Sequence, residues 1–160
     1  MTDLPHFDSE GHVHMVDVGK KPTTHRVAVA SAVITMQPST LQRIKDRKFA
    51  KGDVFELARV AGVMGSKRTA DLIPLCHPLT IDSVQISVEP IDDASVRLVA
   101  RVSTHGKTGV EMEAMTAVMA AGLTVYDMCK SVDRSMTIGP VQLDEKLGGK
   151  SGHFVRSPQK

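Results

Sequence analysis

The chain has 160 residues, of which 41% are hydrophobic and 24% charged, with a formal net charge of +2. This composition is typical of a globular protein and excludes wholesale disorder, and from the length we expect one domain with no room for a second catalytic domain. Aromatic residues make up only 3%, which argues against a surface that stacks the bases of single-stranded nucleic acid. The balanced charge argues against a protein that wraps duplex DNA. We therefore expect no nucleic-acid partner.

No apolar run is long enough to span a membrane, and residues 1–14 lack the apolar core of a signal peptide. The two cysteines, Cys76 and Cys129, lie far apart and form neither a CxxC pair nor a disulfide framework. Free thiols suit a reducing compartment. The sequence therefore predicts a cytoplasmic protein with no membrane partner, unless a targeting segment has been removed.

The hydrophobic patterning predicts a single catalytic domain at 12–147, a flexible N-terminus at 1–11 and a flexible Gly/Lys/Ser tail at 148–160. In chain order, we expect strands at 12–18 and 25–36, a short helix capped by Ser39, a helix capped by Asp53, an extended loop between Pro74 and Pro78, a hairpin at 84–102, a helix at 110–129, and a strand at 134–143 with a bulge or edge at Gly139 and Pro140.

From the strand at 25–36 onward, this order is the split βαβ pattern of ferredoxin-like domains. The predicted fold class is α+β, an antiparallel sheet with its helices on one face. Gly62 and Gly65 in the second helix suggest that this helix packs closely against another backbone. The helix at 110–129 is apolar around nearly its whole circumference, and one sheet face lacks cover. Both features predict an oligomer.

Three basic or glycine-rich segments are candidates for anion binding. The loops at 105–109 and 149–151 resemble nucleotide loops, but neither has the first glycine of a Walker motif, so ATPase chemistry is not expected. The loop at 105–109 would present backbone N–H groups to a phosphate, although helix capping explains it equally well. The basic run at 43–51 is either a solvated helix end or a site for a small anionic ligand.

Asp127 and Lys130 lie one helical turn apart near the end of the long helix. An acid at the negative end of a helix dipole, between apolar neighbours, is costly unless it is paired, so a structural salt bridge is one interpretation. The other is catalysis, because a buried Asp/Lys pair can exchange protons with a substrate near neutral pH. Glu113 lies on the same helix face, about 21 Å from Asp127 along the axis. A site that uses both must be long or shared between subunits.

Cys76 and His77 lie between two prolines, which hold the loop rigidly. The pair supplies too few ligands for a closed zinc site. Ordinary packing and a hydrogen bond from the imidazole to a ligand both remain open, and we predict no protein metal site.

Several ordered motifs occur together in this chain. They are MVDV at 15–18, KGDV at 51–54, DLIPLCHP at 71–78, GKTGVEMEA at 106–114, YDMCK at 126–130 and GGKSG at 148–152. In this combination the chain resembles the cyclic pyranopterin monophosphate synthases, the molybdenum cofactor biosynthesis protein C family, over about residues 12–153. None of these motif positions is substituted.

The resemblance implies a lyase of molybdenum cofactor (molybdopterin) biosynthesis. Members convert a cyclised dihydroguanosine triphosphate into cyclic pyranopterin monophosphate, a pterin, with release of pyrophosphate. A radical S-adenosylmethionine GTP cyclase makes that substrate from GTP. The resemblance also implies a ferredoxin-like fold and a homohexamer, a trimer of dimers, with active sites at subunit interfaces.

The resemblance further implies roles for individual residues. Asp127 would be the general acid/base, Lys130 its essential neighbour, and Lys51 a further catalytic residue. The residues expected to bind substrate are Leu75, Cys76, His77, Met112 and Glu113.

Two other functions stay open from the residues themselves. A ferredoxin-like domain can be a nonenzymatic module that binds a nucleotide effector, and a hydrolase could act directly on GTP. Magnesium could assist the departure of pyrophosphate, but the sequence shows no carboxylate cage, so the substrate phosphates would be its main ligands. No other cofactor is expected, and metal dependence is left open.

Overall fold

The computed structural model describes residues 6–8, 10–49, 52–150 and 152–157. The elements in chain order are β1 (Thr24–Thr35), α1 (Pro38–Lys45), α2 (Val54–Ser66), α3 (Thr69–Leu72), β2 (Ser83–Pro90), β3 (Ser95–Gly106), α4 (Glu111–Cys129), β4 (Thr137–Leu147) and β5 (Phe154–Val155).

The strands form one antiparallel sheet in the order β2-β3-β1-β4-β5. The first four strands have the ferredoxin-like order, in which β3 lies between β1 and β2. Helix α4 packs against β1, β3 and β4, and α2 packs against α4 and β2. The predicted α+β, ferredoxin-like fold is therefore confirmed.

The core lies between the sheet and α4. Alternate residues of the central strand β1, from Ala28 to Ile34, face the helix and are fully buried, because successive side chains of a strand point to opposite faces. Helices α2 and α4 approach each other closely at Gly65, where an added Cβ would lie 2.5 Å from the Cβ of Ala120. The close packing predicted from the helix glycines is confirmed, and a side chain at Gly65 would force the helices apart.

The strand predicted at 12–18 is wrong. The segment pairs with none of the strands of the sheet, and among the described residues it forms an isolated bridge between Phe7 and Val13. Its apolar alternation has another cause, since Val16 and Val18 line a cavity described below. Apolar residues alternate with polar ones wherever one side of an extended segment is buried. A cavity wall produces that pattern as well as a sheet does.

Helix α1 begins earlier than predicted. Its cap is Gln37 and not Ser39, and Pro38 occupies the first turn, where its missing N–H costs nothing. The distant Asp133 carboxylate accepts the Gln37 N–H at 2.7 Å and the Thr40 hydroxyl at 3.2 Å. The cap predicted for α2 is confirmed, because Asp53 accepts from two backbone N–H groups of the first turn.

Strand β4 is displaced from its predicted limits. It ends at Leu147 and not at residue 143, because a second register shift lies opposite Val29 and Ala30 and breaks the alternation. The bulge predicted near Gly139 and Pro140 is confirmed by the register shift opposite Ala32 and Ile34.

The terminal segments and the domain limits stay predictions, since part of each terminus lies outside the described residues. Within the predicted tail, β5 pairs with Glu145 and Lys146 of β4. None of the helices in the described part of the chain is long and apolar enough to cross a membrane.

Candidate active site

A cavity of about 290 Å³, here called the inner cavity, opens beside the first turn of α4. It contains all five residues expected to bind substrate: Leu75, Cys76, His77, Met112 and Glu113. Its other walls come from the segment before β1 and the loop before α4, and are formed by His6, Val16, Val18, Lys21, Leu79, Thr108, Gly109 and Glu111. Residues from three distant parts of the sequence thus meet at one opening.

The loop after α3 presents Cys76 and His77 to the inner cavity. Its start is held by a hydrogen bond from the Cys76 N–H to the Ile73 carbonyl, 3.1 Å long. Its end is tied to β3, because the Thr104 hydroxyl donates to the Thr80 carbonyl. The loop therefore begins with a turn at Pro74 and Leu75, where an extended segment was predicted, and continues without helix or strand from Cys76.

Two groups in the inner cavity have shifted proton affinities. Burial raises the pKa of Glu113, which is 4% exposed. A hydrogen bond to its own backbone opposes that shift in part, and the neighbouring Glu111 carboxylate adds to it. Burial, with a smaller effect of Glu113, also raises the pKa of the Cys76 thiol. The thiol therefore stays protonated near neutral pH, which suits a hydrogen-bonding wall better than a nucleophile.

A second opening of about 460 Å³, here called the basic cavity, adjoins the first. The two share Lys21, Thr108, Gly109 and Glu111. The basic cavity gathers five cationic side chains against the single acid Glu111, namely those of Lys21, Arg26, Lys107, Lys146 and Lys150. An opening with a thiol and a mixed polar and apolar lining thus adjoins a strongly positive one.

Contacts with neighbouring residues orient the cations of the basic cavity. The Lys146 ammonium lies 3.3 Å from the Glu111 carboxylate, and the Lys107 ammonium donates to the Gly19 carbonyl at 2.7 Å. Sequence reasoning identified the Lys107 loop but missed Lys21, Arg26 and Lys146. The sequence signal that could have pointed to Lys146 is its position before the two tail glycines, with Lys150 after them. The sequence gives no sign of the pairing of β4 with β1.

Asp127 and Lys130 lie at the other end of α4. Their oxygen and nitrogen are 2.6 Å apart, and the side chains are 59% and 54% exposed. The expected burial of Asp127 is therefore wrong, because Asp127 projects from the side of the last turn that Leu123 shares, away from the core. The hydrogen bond from Lys130 to Asp127 raises the pKa of Lys130. The ion pair itself is present as expected.

An apolar groove of about 470 Å³ between α2 and α4 runs up to Asp127. It is lined by Leu57, Val60, Ala61, Met64, Leu123, Thr124, Asp127 and Met128. Within one chain, this groove and the two cavities are separated by most of the length of α4. The structure therefore brings the five expected binding residues together but does not bring Asp127 and Lys130 to them, and Lys51 lies outside the described residues.

Comparison with known proteins decides the family. A family model described as MoaC family matches residues 15–149. The chain belongs to the MoaC family. The resemblance inferred from the motifs is confirmed.

Similar MoaC proteins cover almost the whole chain. One from Magnetococcus marinus is 55% identical over 161 residues, covering 99% of this chain and 98% of the relative. One from Thermomicrobium roseum is 54% identical and covers 98% and 95%. Both are named cyclic pyranopterin monophosphate synthase. One from Mycobacterium bovis, named cyclic pyranopterin monophosphate synthase 1, is 54% identical and covers 96% and 91%.

The basic run at 43–51 of this MoaC chain takes part in local contacts. Lys48 pairs with Asp46 at 2.8 Å, and the Arg43 guanidinium lies 5.5 Å from the centre of the Phe49 ring. Among its described residues, none lines the inner or the basic cavity of the same chain.

Within the residues that the structure describes, no three His, Cys, Asp or Glu side chains converge on a point where a metal ion could bind. The basic cavity, lined by ammonium and guanidinium groups, also fits a resident divalent cation poorly.

Proposed function

We propose that this MoaC chain is a cyclic pyranopterin monophosphate synthase, a lyase of molybdenum cofactor biosynthesis. It converts the cyclised dihydroguanosine triphosphate into cyclic pyranopterin monophosphate and pyrophosphate. Family membership and the shared name of relatives that match along nearly their full length support this activity. The structural observation that carries it is that the inner cavity adjoins the basic cavity and shares four lining residues with it.

The two cavities match the two parts of such a substrate. The inner cavity suits a single reduced, non-aromatic purine, because it offers a thiol, an imidazole and a buried carboxyl group for hydrogen bonds. The basic cavity suits the triphosphate, since ammonium and guanidinium groups make charge-assisted hydrogen bonds to phosphate oxygens. Thr108 and Gly109 line both cavities, so their backbone forms part of the boundary between the two.

The reaction needs proton transfers but no change of oxidation state. Opening the purine ring and closing a cyclic phosphate each require a group that accepts or donates a proton at the reacting atom. We assign that role to Asp127, with Lys130 as the neighbour that sets its charge state and Lys51 as a further catalytic residue. Positive charge around the phosphates would stabilise the departing pyrophosphate.

A second copy of the chain completes the site. The apolar groove exposes Val60, Met64 and Leu123, a patch that an isolated protomer would leave in water. A partner seated on this groove would cover Asp127, and its own inner cavity could then receive that residue. We therefore place the active sites at subunit interfaces of a homohexamer built as a trimer of dimers.

The proposal includes a cytoplasmic location and a functional partner, the radical S-adenosylmethionine GTP cyclase that supplies the substrate. Magnesium enters only as an ion bound by the substrate phosphates, because the cationic lining of the basic cavity gives it no protein cage.

The deciding experiment incubates the purified chain with the cyclised dihydroguanosine triphosphate and, separately, with GTP. We expect cyclic pyranopterin monophosphate and an equal amount of pyrophosphate from the first, and no product from GTP. Product from GTP alone would indicate the hydrolase instead. Binding of the cyclised nucleotide without turnover would indicate the effector module.

A further inference from the structure

The turn after β4 packs directly on an arginine of the basic cavity. We infer that Gly149 is a positioning residue that holds the Arg26 guanidinium toward the substrate phosphates, an assignment that rests on the proposed function for the identity of that anion.

The backbone conformation favours glycine at both tail positions, and a side chain added at either would meet nearby atoms. Gly148 and Gly149 have φ values of +93° and +79°, which side chains of L-residues rarely adopt. An added Cβ at Gly148 would lie 2.3 Å from the His25 carbonyl oxygen. One at Gly149 would lie 2.1 Å from Nη1 and 3.0 Å from Cζ of Arg26. The Gly149 backbone therefore occupies the space next to the guanidinium.

The guanidinium is also held from a second direction. Arg26 Nη2 donates to the Lys107 carbonyl at 3.3 Å, so the loop before α4 and the tail turn enclose the group between them. The buried Nε has no acceptor among the described residues. A guanidinium has five N–H donors in a rigid fork, and a fixed fork with unused donors is suited to a phosphate.

The contact is specific to Arg26. Lys146 and Lys150 flank the turn, but the contact close enough to exclude a methyl group at Gly149 is with the guanidinium. A side chain at Gly149 would therefore remove one cation from the basic cavity, whereas the tail lysines keep their backbone positions.

The test measures binding of inorganic tripolyphosphate to the full chain by calorimetry. We expect Gly149→Ala and Arg26→Ala each to weaken affinity about tenfold, as for loss of one charge-assisted hydrogen-bonding group. The double variant should bind no more weakly than Arg26→Ala, because the methyl group then has nothing to displace. Gly152→Ala is the matched control, since Gly152 has φ +68° and no described atom within 4 Å of the added Cβ.

A melting experiment keeps the inference testable if Gly149→Ala folds poorly. The clash predicts that adding Arg26→Ala raises the melting temperature of Gly149→Ala toward that of Gly152→Ala. Additive losses in affinity, no such recovery, or an equal loss of binding in Gly152→Ala would overturn the inference. Absence of tripolyphosphate binding in the unmodified chain would overturn it too. None of these outcomes depends on turnover, so failure of the proposed function would be seen separately.

Discussion

The Lys130 ammonium donates a 2.6 Å hydrogen bond to the Asp127 carboxylate on a surface where both side chains are more than half exposed. In one chain this pair is solvated, and Asp127 raises the pKa of Lys130. Covering the pair with a second subunit would desolvate both charges, and desolvation disfavours the charged form of each group. The proposed proton transfer by Asp127 would therefore depend on assembly of the subunits.

Replacing Asp127 by Asn should abolish catalysis without disturbing the fold. Asn keeps the shape of the side chain but cannot take up a proton, so turnover of the cyclised nucleotide should fall by about 100-fold or more. Product formation is followed by mass spectrometry, and the oligomer by analytical ultracentrifugation. Asp46→Asn is the control, because Asp46 also pairs with a lysine on the surface but lies outside the proposed site. Undiminished turnover in Asp127→Asn would refute the assignment.

Mixing two inactive variants should restore activity if the site is shared. Glu113 and Asp127 are about 21 Å apart along one helix, so a site that uses both is either long or shared between chains, and the mixture tests the second possibility. Random reassembly of Glu113→Gln with Asp127→Asn should leave about a quarter of the sites intact, if each dimer has two equivalent sites. Fluorescently labelled subunits verify exchange. No recovery after verified exchange would contradict the shared site.

Charging the apolar groove should prevent assembly. Met64→Glu places a carboxylate in the groove between α2 and α4, where a partner would have to desolvate it without a counter-charge. We expect a smaller species in ultracentrifugation and loss of turnover. Ile91→Glu, at an exposed apolar residue of the β2–β3 hairpin, is the control. An unchanged oligomer in Met64→Glu would place the interface elsewhere.

Removing the remote cap of α1 should destabilise the fold. Asp133→Ala leaves the Gln37 N–H and the Thr40 hydroxyl without their buried acceptor, which costs about 2 kcal/mol of unfolding free energy. Burial would raise the pKa of Asp133, but hydrogen bonds from Gln37, Ser135 and Thr40 hold it below its ordinary value.

This stabilisation by Asp133 is therefore present above about pH 4, the ordinary range of an unfolded carboxyl, and is lost as pH falls through the lower folded value. Urea unfolding from pH 7 to pH 3 should show the gap between wild type and variant closing at the acid end. Asp93→Ala, at an exposed position of the β2–β3 turn, should change stability little. A gap that stays constant with pH would contradict the cap.

The buried Glu113 should produce the opposite dependence on pH. Its raised pKa means that the folded chain binds a proton more tightly than the unfolded chain, so its contribution is full below about pH 4.3 and is lost as pH rises through the folded value. Glu113→Gln should therefore gain stability relative to wild type between pH 4 and pH 7. Unfolding titrations at each pH measure the difference; a difference independent of pH would mean that Glu113 ionises normally.

The amino-acid pattern alone predicted the order of the main elements from β1 to β4, apart from the short helix α3, and the motifs predicted five of the residues that line the inner cavity. Periodic burial marks β1, the hairpin and α4, and Asp53 caps α2 through a contact only two and three residues away. The prolines around Cys76 and His77 predicted a fixed loop for the same reason, because each of these effects acts over a few residues. The ordered motifs then identified the family, which the family model confirms.

Only the tertiary structure decided which distant residues meet. Asp133 caps a helix 96 positions earlier, and the pairing of β4 with β1 brings Lys146 beside Ala28 and next to Arg26 in the basic cavity. The exposure of Asp127 likewise depends on the direction of its turn relative to the core. Local periodicity reports that a face is buried, but what buries it is set by strand register and packing between segments far apart in sequence.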